Sequence, residues 1–178
     1  MREPRTPQPV MLIVALFSRF SELMQLARER LQSMHGPILL ESEPFHFNQT
    51  RYYEKSMGVD LQKQFLVFEN LIDPGSLPEV KINAIRLERE LAQDYLDEQE
   101  RPINLDPGIL SLGKWMLATT KDQSHRIYLR DGIYAEVTLH FRNGAFEPWP
   151  WTYADYRQES VQEFLREARE HLYRKLRS

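Results

Sequence analysis

Most of the side chains that could do chemistry in this chain lie in two consecutive predicted β-hairpins, between His125 and Trp149. In the stretch HRIYLRDGIYAEVTLHF, polar and apolar residues alternate. Because side chains along a strand point alternately to opposite faces of a sheet, the polar ones share one face. That face carries Arg126, Tyr128, Tyr134, Glu136, Thr138, His140, Glu147 and Trp149. A cation, carboxylates and hydroxyl groups on one face suit a small polar ligand; a face that meets only water is the alternative.

The register of the first hairpin determines whether that polar face exists. A two-residue turn at Asp131-Gly132 would set apolar residues opposite charged ones. A three-residue loop over 130–132, with Gly132 in a left-handed bulge, keeps the apolar and polar residues on separate faces. We therefore predict the second register, which gives the pairs Leu129–Ile133, Ile127–Ala135, Tyr128–Tyr134 and Arg126–Glu136.

The second hairpin turns at Asn143-Gly144, which is a strong signal for a two-residue turn. This turn sets Phe146 opposite Phe141 and Glu147 opposite His140. The predicted apolar face of the two hairpins consists of Ile127, Leu129, Ile133, Ala135, Val137, Leu139, Phe141 and Phe146.

These residue types are compatible with three kinds of chemistry. Glu136 and His125 are candidates for acid–base catalysis, since a desolvated carboxyl or imidazole group can exchange a proton with a substrate. Lys121, with His125 and an arginine beside it, could neutralise an anion such as a phosphate group. His140 and Glu147 could share a metal, but no spaced His and Asp cluster supplies a third ligand, so we predict a hydrogen bond and no metal site. No cofactor is indicated.

A nucleotide-binding P-loop is nearly matched by GILSLGKW, Gly108 to Trp115. Trp115 stands where the pattern requires the hydroxyl group that holds Mg²⁺, so a P-loop GTPase is not expected. We predict instead a buried helix over 106–120, with Asp106 as its N-cap and Pro107 at its first position. The free N–H groups at the start of that helix could still bind an anion.

The overall composition excludes several classes of protein. The net charge is −3 in 178 residues, so no global positive field attracts nucleic acid, and nucleic-acid binding is not expected. The chain lacks cysteine, which excludes disulfides and fits a reducing compartment. The longest apolar run, Val10–Phe17, is far shorter than the roughly 20 residues of a membrane span. We predict a cytoplasmic protein that binds no membrane, and no oligomeric state is specified.

The remaining elements follow from hydrophobic periodicity and turn signals. The predicted strands are Val10–Phe17, Ile38–Phe47, Lys63–Asn70, Pro102–Asp106, the hairpin strands and Ala145–Trp149. The predicted helices span Phe20–Met34 (N-cap Ser21, stop Gly36), Leu77–Glu100, 106–120 and Glu159–Leu176. The order predicts an α+β fold that starts as a ferredoxin-like split βαβ and continues as an antiparallel extension with packed helices. Residues 1–9 are a predicted flexible lead-in to one domain, 10–178.

Several motifs together resemble a known family. INLDPG, LATTKDQSHRIYL, GIYAEVTL and WTYADYR, preceded by YYEKSMG and LID, closely resemble the prokaryotic family called domain of unknown function 4416, over nearly the whole chain. The resemblance implies no particular reaction. Its motifs fall on Asn104, Asp106, Lys121, His125, Arg126, Tyr128, Tyr134, Glu136, Thr152, Tyr153, Asp155, Tyr156 and Arg157.

Two functions are compatible with these residues. The first is a binding protein or an enzyme that takes a small anionic metabolite, phosphorylated or nucleotide-like, on the polar hairpin face. The predicted ligand-binding residues are Lys121, Arg126, Tyr128, Tyr134, Thr138, Tyr153, Arg157, Asn104 and Asp106. The second is a non-catalytic protein–protein interaction module that uses the hairpins and the aromatic loop around Trp151.

Overall fold

A computed structural model describes residues 3–48, 50, 52–95 and 101–178. These residues form nine strands and four α-helices. The strands are β1 (Val10–Ser18), β2 (Ile38–Glu41), β3 (Phe45–His46), β4 (Gln62–Ile72), β5 (Ile103–Leu110), β6 (Lys114–Thr119), β7 (Ile127–Arg130), β8 (Ile133–Arg142) and β9 (Ala145–Pro148). The helices are α1 (Ser21–His35), α2 (Glu54–Met57), α3 (Leu77–Asp94) and α4 (Glu159–Lys175). No described helix is both long and apolar enough to cross a membrane.

All the strands belong to one sheet, whose order is β2-β4-β1-β5-β6-β8-β7. The short strand β3 pairs with β4, and β9 pairs with β8. Every neighbouring pair is antiparallel. The predicted α+β class, with a large antiparallel sheet and packed helices, is therefore confirmed.

The central strand β1 is buried along its whole length, because it is apolar on both faces. Its residues 12, 14 and 16 pack in one cluster with α1 and α3. Its residues 11, 13 and 15 pack in a second cluster with α4. The molecule therefore has three layers, with α1 and α3 on one face of the sheet and α4 on the other. We call the second one the α4 face.

Helix α1 starts and ends close to its predicted bounds, but its predicted cap is wrong. The N-cap is Phe20, without a side-chain cap bond, and Ser21 is already helical. The hydroxyl oxygen of Ser18 instead accepts the N–H of Phe20 at 3.0 Å. Gly36 ends the helix as predicted, with a φ of 92° that favours glycine.

Two other predicted elements differ in extent. The predicted strand Ile38–Phe47 is divided into β2 and β3. The long charged helix α3 begins at Leu77 and ends at Asp94, and its predicted end at Glu100 lies outside the described residues.

The predicted helix over 106–120 is wrong. Strand β5 continues to Leu110 and pairs with β6, so Asp106 caps no helix and Trp115 is buried in a strand. Both faces of this hairpin are covered, and the apolar pattern of a strand buried on both faces does not differ from that of a buried helix. The P-loop-like stretch therefore spans two strands and their turn, and the anion site predicted at a helix N-terminus has no helix to form it.

The β7–β8 hairpin has the predicted pairing but a different turn. Two predicted pairs are confirmed, Tyr128–Tyr134 and Ile127–Ala135. Arg130, rather than Leu129, pairs with Ile133 across a two-residue turn at Asp131-Gly132, both with positive φ. The extra residue is therefore Leu129, which bulges out of the ladder. The predicted bulge at Gly132 and the Leu129–Ile133 pair are wrong.

A second bulge, at Thr138 in β8, changes which residues share a face. Met116 pairs with Val137 and Trp115 with Leu139, so that Thr138 has no partner in β6. After this bulge the apolar residues of β8 lie on the same α4 face as Glu136. The single predicted apolar face is thus wrong: Ile133 and Ala135 pack with α3, whereas Leu139, Phe141 and Phe146 pack with α4. The predicted pairs at Asn143-Gly144, Phe141–Phe146 and His140–Glu147, are confirmed.

The sheet opens between β5 and β6. Strand β6 pairs with β8 along its whole length but with β5 only over residues 108–110. Residues 103–107 of β5 pair with β1 on one side and with no described strand on the other. Pro107 is tolerated in such a position because a strand edge needs no donor there. This gap holds the candidate site.

Candidate functional site

A cavity of about 380 Å³ lies at the gap between β5 and β6. It is lined by five cationic side chains, three carboxylates and several aromatic rings. The cations are Lys63, Lys81, Arg101, Lys121 and Arg126; the carboxylates are Asp106, Glu136 and Asp155. The rings are those of Phe17, Phe47, Tyr52, Tyr53, Tyr153 and Tyr156.

A buried ion pair joins β4 to the loop before α4. The Lys63 Nζ lies 2.6 Å from the Asp155 Oδ2, and both side chains are almost fully buried. The ammonium group also lies 4.8 Å from the ring centres of Phe47 and Tyr156 and 5.4 Å from that of Phe17. Aromatic faces attract cations, so the rings and the carboxylate together hold this charge in place.

A second ion pair reaches the cavity from α3. The Lys81 Nζ donates to the Leu105 carbonyl at 2.9 Å and to the Asp106 Oδ1 at 3.1 Å. Burial by itself raises the pKa of Asp106, but the positive charges of Lys81 and Lys63 outweigh it and hold that pKa below its ordinary value. Asp106 is therefore ionised at neutral pH.

Arg101 lies at the start of β5 and is held by Glu88. Its Nη2 is 3.0 Å from the Glu88 Oε2 and also donates to the Asn104 Oδ1. Glu88 accepts the Leu105 N–H at 2.6 Å as well. Burial raises the pKa of Glu88 above its ordinary value, although Lys81 and Arg101 act in the opposite direction. Arg101 thus fixes the amide of Asn104, with the amide oxygen turned to the guanidinium.

Arg126 lies on the opposite wall of the cavity, and its guanidinium N–H groups donate to other groups of the protein. Its Nε lies 2.8 Å from the Glu136 Oε2, its Nη1 donates to the Lys121 carbonyl at 3.0 Å, and its Nη2 donates to the Tyr153 Oη at 2.8 Å. Burial raises the pKa of Tyr153, with Arg126 opposing it, so this phenol keeps its proton. Since its oxygen accepts from Arg126, the proton of Tyr153 is free to be donated.

The carboxylate of Glu136 contacts three side chains. Besides Arg126, His125 Nε2 lies 3.2 Å from Oε2, and the Thr138 hydroxyl donates to Oε1 at 3.2 Å. The His125 ring stacks on Trp151, with ring centres 5.1 Å apart. Glu136 therefore holds the arginine in position at the wall of the cavity.

Lys121 is the exposed cation of the set. Its Nζ donates to the Tyr52 Oη at 2.6 Å and lies 4.1 Å from the centre of the Tyr52 ring. This contact lowers the pKa of Tyr52. No carboxylate of the described residues pairs with Lys121, whereas each of the other four cations has one. The uncompensated positive charge of the cavity therefore lies at Lys121.

Two buried polar atoms of the lining lack a hydrogen-bond partner within the described part of the chain. They are the Asn104 Nδ2 and the Tyr156 Oη, on residues that are 2% exposed. Burial raises the pKa of Tyr156 well above its ordinary value, so its hydroxyl remains a donor. Buried polar groups are normally paired, so these two donors are available to an acceptor such as water or a ligand.

The sequence model of the family described as "Domain of unknown function (DUF4416)" matches residues 8–172. The chain belongs to this family. Searches of curated proteins and of solved structures found no match.

The family motifs contribute much of the cavity. Six of the predicted site residues line it, namely Asn104, Asp106, Lys121, Arg126, Glu136 and Tyr153. Two more, His125 and Thr138, contact Glu136 without lining the cavity. The remaining three lie elsewhere: Tyr128 and Tyr134 pack on each other away from the cavity, and Arg157 donates to the carbonyls of Trp149, Pro150 and Thr152.

Several lining residues of this family member were missed by reasoning from sequence. Lys63 lies two positions from Phe65 and four from Val67 on β4, so all three side chains point to the same buried face. The period of the strand therefore predicts that Lys63 points into the protein. Lys81 lies at helical spacing from the buried Leu77 and Ala84 of α3, and Glu88, which holds Arg101 without lining the cavity, lies on the same stripe. A charged residue on the apolar stripe of an element was the signal in both cases.

The histidines form no cluster of ligands. His140 Nε2 lies 3.4 Å from the Glu147 Oε2, as the predicted pairing requires, and the His140 ring packs against Trp149. His46 contacts Gln62 on the surface. Within the described residues no three His, Asp or Glu side chains are arranged to hold a metal ion.

Proposed function

We propose that the cavity binds a small anionic metabolite of the phosphorylated or nucleotide-like class. The observation that carries the proposal is an excess of positive charge: four of the five cations of the lining have a carboxylate partner, with Glu88 pairing with Arg101 from outside the lining, and Lys121 has none among the described residues. Two buried donors of the lining also lack a partner within the described residues. The whole chain has a net charge of −3, so this positive concavity is local. Charged clefts with low-dielectric walls concentrate ligands of the opposite sign.

The size and the walls of the cavity support a metabolite rather than a macromolecule. Its volume of about 380 Å³ lies within the range of small-molecule sites. The rings of Tyr52 and Tyr53 stand edge to face at its wall, with centres 4.9 Å apart. Apolar rings beside convergent polar groups suit an organic anion that has a carbon skeleton of its own.

The contacts of Glu136 favour positioning over catalysis. Acid–base catalysis by Glu136 or His125 would require proton exchange at a carboxylate that already accepts from Arg126 and Thr138. We therefore assign Glu136 and His125 to holding Arg126, and the proposed function is binding. A reaction is not part of it.

A thermal-shift screen tests the proposal. The panel contains inorganic phosphate, pyrophosphate, nucleotides, sugar phosphates and carboxylates, each with and without Mg²⁺. A ligand at about a hundred times its dissociation constant should stabilise the protein by roughly 2.7 kcal/mol, which raises Tm by several degrees.

Two lysine variants locate the effect. Lys121→Ala should weaken the best hit about tenfold, because one charged contact contributes on the order of 1.5 kcal/mol. Lys114→Ala is the matched control, since Lys114 is exposed at the other end of β6 and outside the cavity. If no compound of the panel raises Tm, or if both variants lose the same affinity for the best compound, the cavity is not an anion site.

A protein–protein interaction module is the second candidate. Large hydrophobic side chains are exposed along the edge strand β7 and in the aromatic loop, with Ile127 70% and Tyr128 56% exposed. An edge strand with free backbone groups can pair with another chain. Sedimentation velocity of the chain and of Ile127→Lys tests self-association at this edge. A concentration-dependent dimer that the substitution abolishes would support it, and a monomer at all concentrations would not.

We also propose that residues 10–178 form one domain whose first half is a ferredoxin-like split βαβ. The antiparallel order β2-β4-β1-β5, with α1 and α3 on one face, supports this arrangement. A cytoplasmic location is proposed on the lack of cysteine alone. Limited proteolysis tests the domain boundary.

A further inference from the structure

We infer that the inner part of the cavity binds a hydroxyl group, so that the ligand is a hydroxylated small anion of the sugar-phosphate kind. The inference rests on the proposed function and narrows its ligand class. It is carried by Asp106 and Asn104, two residues that lie two positions apart on β5.

Asp106 presents the accessible carboxylate of the cavity. Its side chain is 28% exposed, whereas those of Glu136 and Asp155 are 1% and 2% exposed. Lys81 contacts Oδ1 at 3.1 Å, and the Asn104 amide lies close enough to help lower the pKa of the carboxyl group. The cavity therefore contains one ionised oxygen that can accept a hydrogen bond from a ligand.

Asn104 presents a donor on the same face of the strand. Residues two apart on a strand point the same way, and both line the cavity. Arg101 occupies the amide oxygen of Asn104, which leaves the buried Nδ2 without a partner. The Tyr156 hydroxyl is a second unpaired donor in the same lining.

A hydroxyl group satisfies this combination because it both donates and accepts. It can donate to the Asp106 carboxylate and accept from the Asn104 amide. A carboxylate or a fully ionised phosphate ester group offers only acceptors, and the negative charge of Asp106 would repel it. The low pKa of Asp106 also makes this carboxylate a weak base, which suits an acceptor for a hydroxyl proton that is not transferred.

The anionic group of the same ligand is placed at Lys121. That lysine is the cation without a carboxylate partner among the described residues, and it is exposed at the edge of the lining. The ligand would therefore enter with its hydroxyl-bearing end first and leave its charged end near Lys121 and Tyr52.

Matched pairs of ligands test the inference by calorimetry on the full chain. Glycerol phosphate is compared with propyl phosphate, ribose phosphate with deoxyribose phosphate, and glycerate with propionate. In at least one pair the hydroxylated member should bind about ten- to a hundredfold tighter, which is the range for one hydrogen bond to a charged group. The glycerate arm distinguishes a carboxylate ligand from a phosphate ligand.

Asp106→Asn should reduce that ratio, because a neutral amide oxygen is a weaker acceptor than a carboxylate, while affinity for the dehydroxylated member stays the same or rises. Asp122→Asn, an exposed acid outside the lining, should keep the wild-type ratio. If the dehydroxylated anions bind but hydroxyl groups make no difference, the inference is wrong and the proposed function stands. If no anion binds, both fail. The wild-type comparison decides even if a variant does not fold.

Discussion

Two regions on the α4 face of the sheet are built from the same strands but from opposite kinds of side chain. One region, the apolar region, lies under α4 and contains residues 11, 13 and 15 of β1, with Phe65 and Val67 of β4 and Trp115 of β6. The other is the cavity. Along each strand, the side chains of this face change from apolar ones under α4 to ones that line the cavity, always in the same direction. The lining residues are Phe17 of β1, Lys63 of β4, Thr119 of β6 and Glu136 of β8.

The difference shows where buried charge is tolerated in this protein. Under α4 the sheet is closed by the apolar residues Val161, Leu165, Ala168 and Leu172. Beyond that cover the buried cations each have a carboxylate at 2.6–3.1 Å. Removing one partner of such a pair leaves an uncompensated buried charge, which costs more than the pair itself contributes. The cavity is therefore the part of the sheet in which the removal of a single side chain costs the most stability.

The largest loss of stability is expected when an ion pair at the cavity is broken. Arg126→Met leaves Glu136 buried without its arginine, and unfolding in urea should show a loss of about 3–5 kcal/mol. Arg28→Met is the matched control, because the Arg28 Nε also lies 2.8 Å from a carboxylate, that of Glu41, but both side chains are partly exposed. That change should cost about 0–1 kcal/mol. Equal losses would mean that burial does not distinguish the two pairs.

The next effect tests the apolar region. Leu165→Ala should cost about 2–5 kcal/mol through lost burial and the cavity that it leaves. Leu26→Ala on the exposed side of α1 should change stability by less than about 0.5 kcal/mol. Affinity for any ligand of the cavity should be unchanged in Leu165→Ala, measured well below its unfolding temperature. A loss of affinity there would show that the two regions are coupled.

A smaller loss of stability is expected at Gly108 of β5, which lies between the apolar region and the cavity. A Cβ on Gly108 would come within 2.4 Å of the Met116 carbonyl oxygen and 2.5 Å of the Trp115 ring. Gly108→Ala should therefore cost about 1–3 kcal/mol by overpacking. The control is Gly113→Ala in the β5–β6 turn, where no atom lies within 4 Å, and urea unfolding should show little change. Tolerance of both substitutions would mean that β5 and β6 can separate further.

The smallest effect is expected in the dependence of stability on pH below neutrality. The pKa of Asp106 is lower in the folded protein than in the unfolded chain, so its ionised form favours folding. This contribution is present above about pH 4 and is lost as the pH falls through the folded value. Asp106→Asn should be less stable than wild type near neutral pH, and thermal unfolding curves should converge in acid. Asp122→Asn should follow wild type throughout; a constant gap for Asp106→Asn would contradict the linkage.

Local signals in the sequence predicted much of the fold. The alternation of polar and apolar residues predicted the Tyr128–Tyr134 pair of the first hairpin, and Asn143-Gly144 predicted the turn of the second hairpin. The error at 106–120 has a physical cause: a hairpin covered on both faces loses the alternation that identifies a strand. The bulge at Thr138 leaves no local signal, since it arises from the fit of β8 to β6.

The candidate site was predicted in part. The hairpin face and the family motifs led to Arg126, Glu136 and Asp106, which line the cavity. Tyr128 and Tyr134 do not reach it, because the cavity lies across β6 from the edge strand that carries Tyr128. The buried lysines were missed, since each lies on an element that otherwise reads as core.

The sequence by itself determined most of the elements, most of the hairpin pairing and the residue types that a polar site requires, because these depend on neighbours along the chain. Only the tertiary structure decided that Lys63, Lys81 and Arg126 meet around one cavity. They come from β4, from α3 and from the residue before β7, and are brought together by the separation of β5 from β6. That separation depends on how distant strands pack, which is why no local pattern contains it.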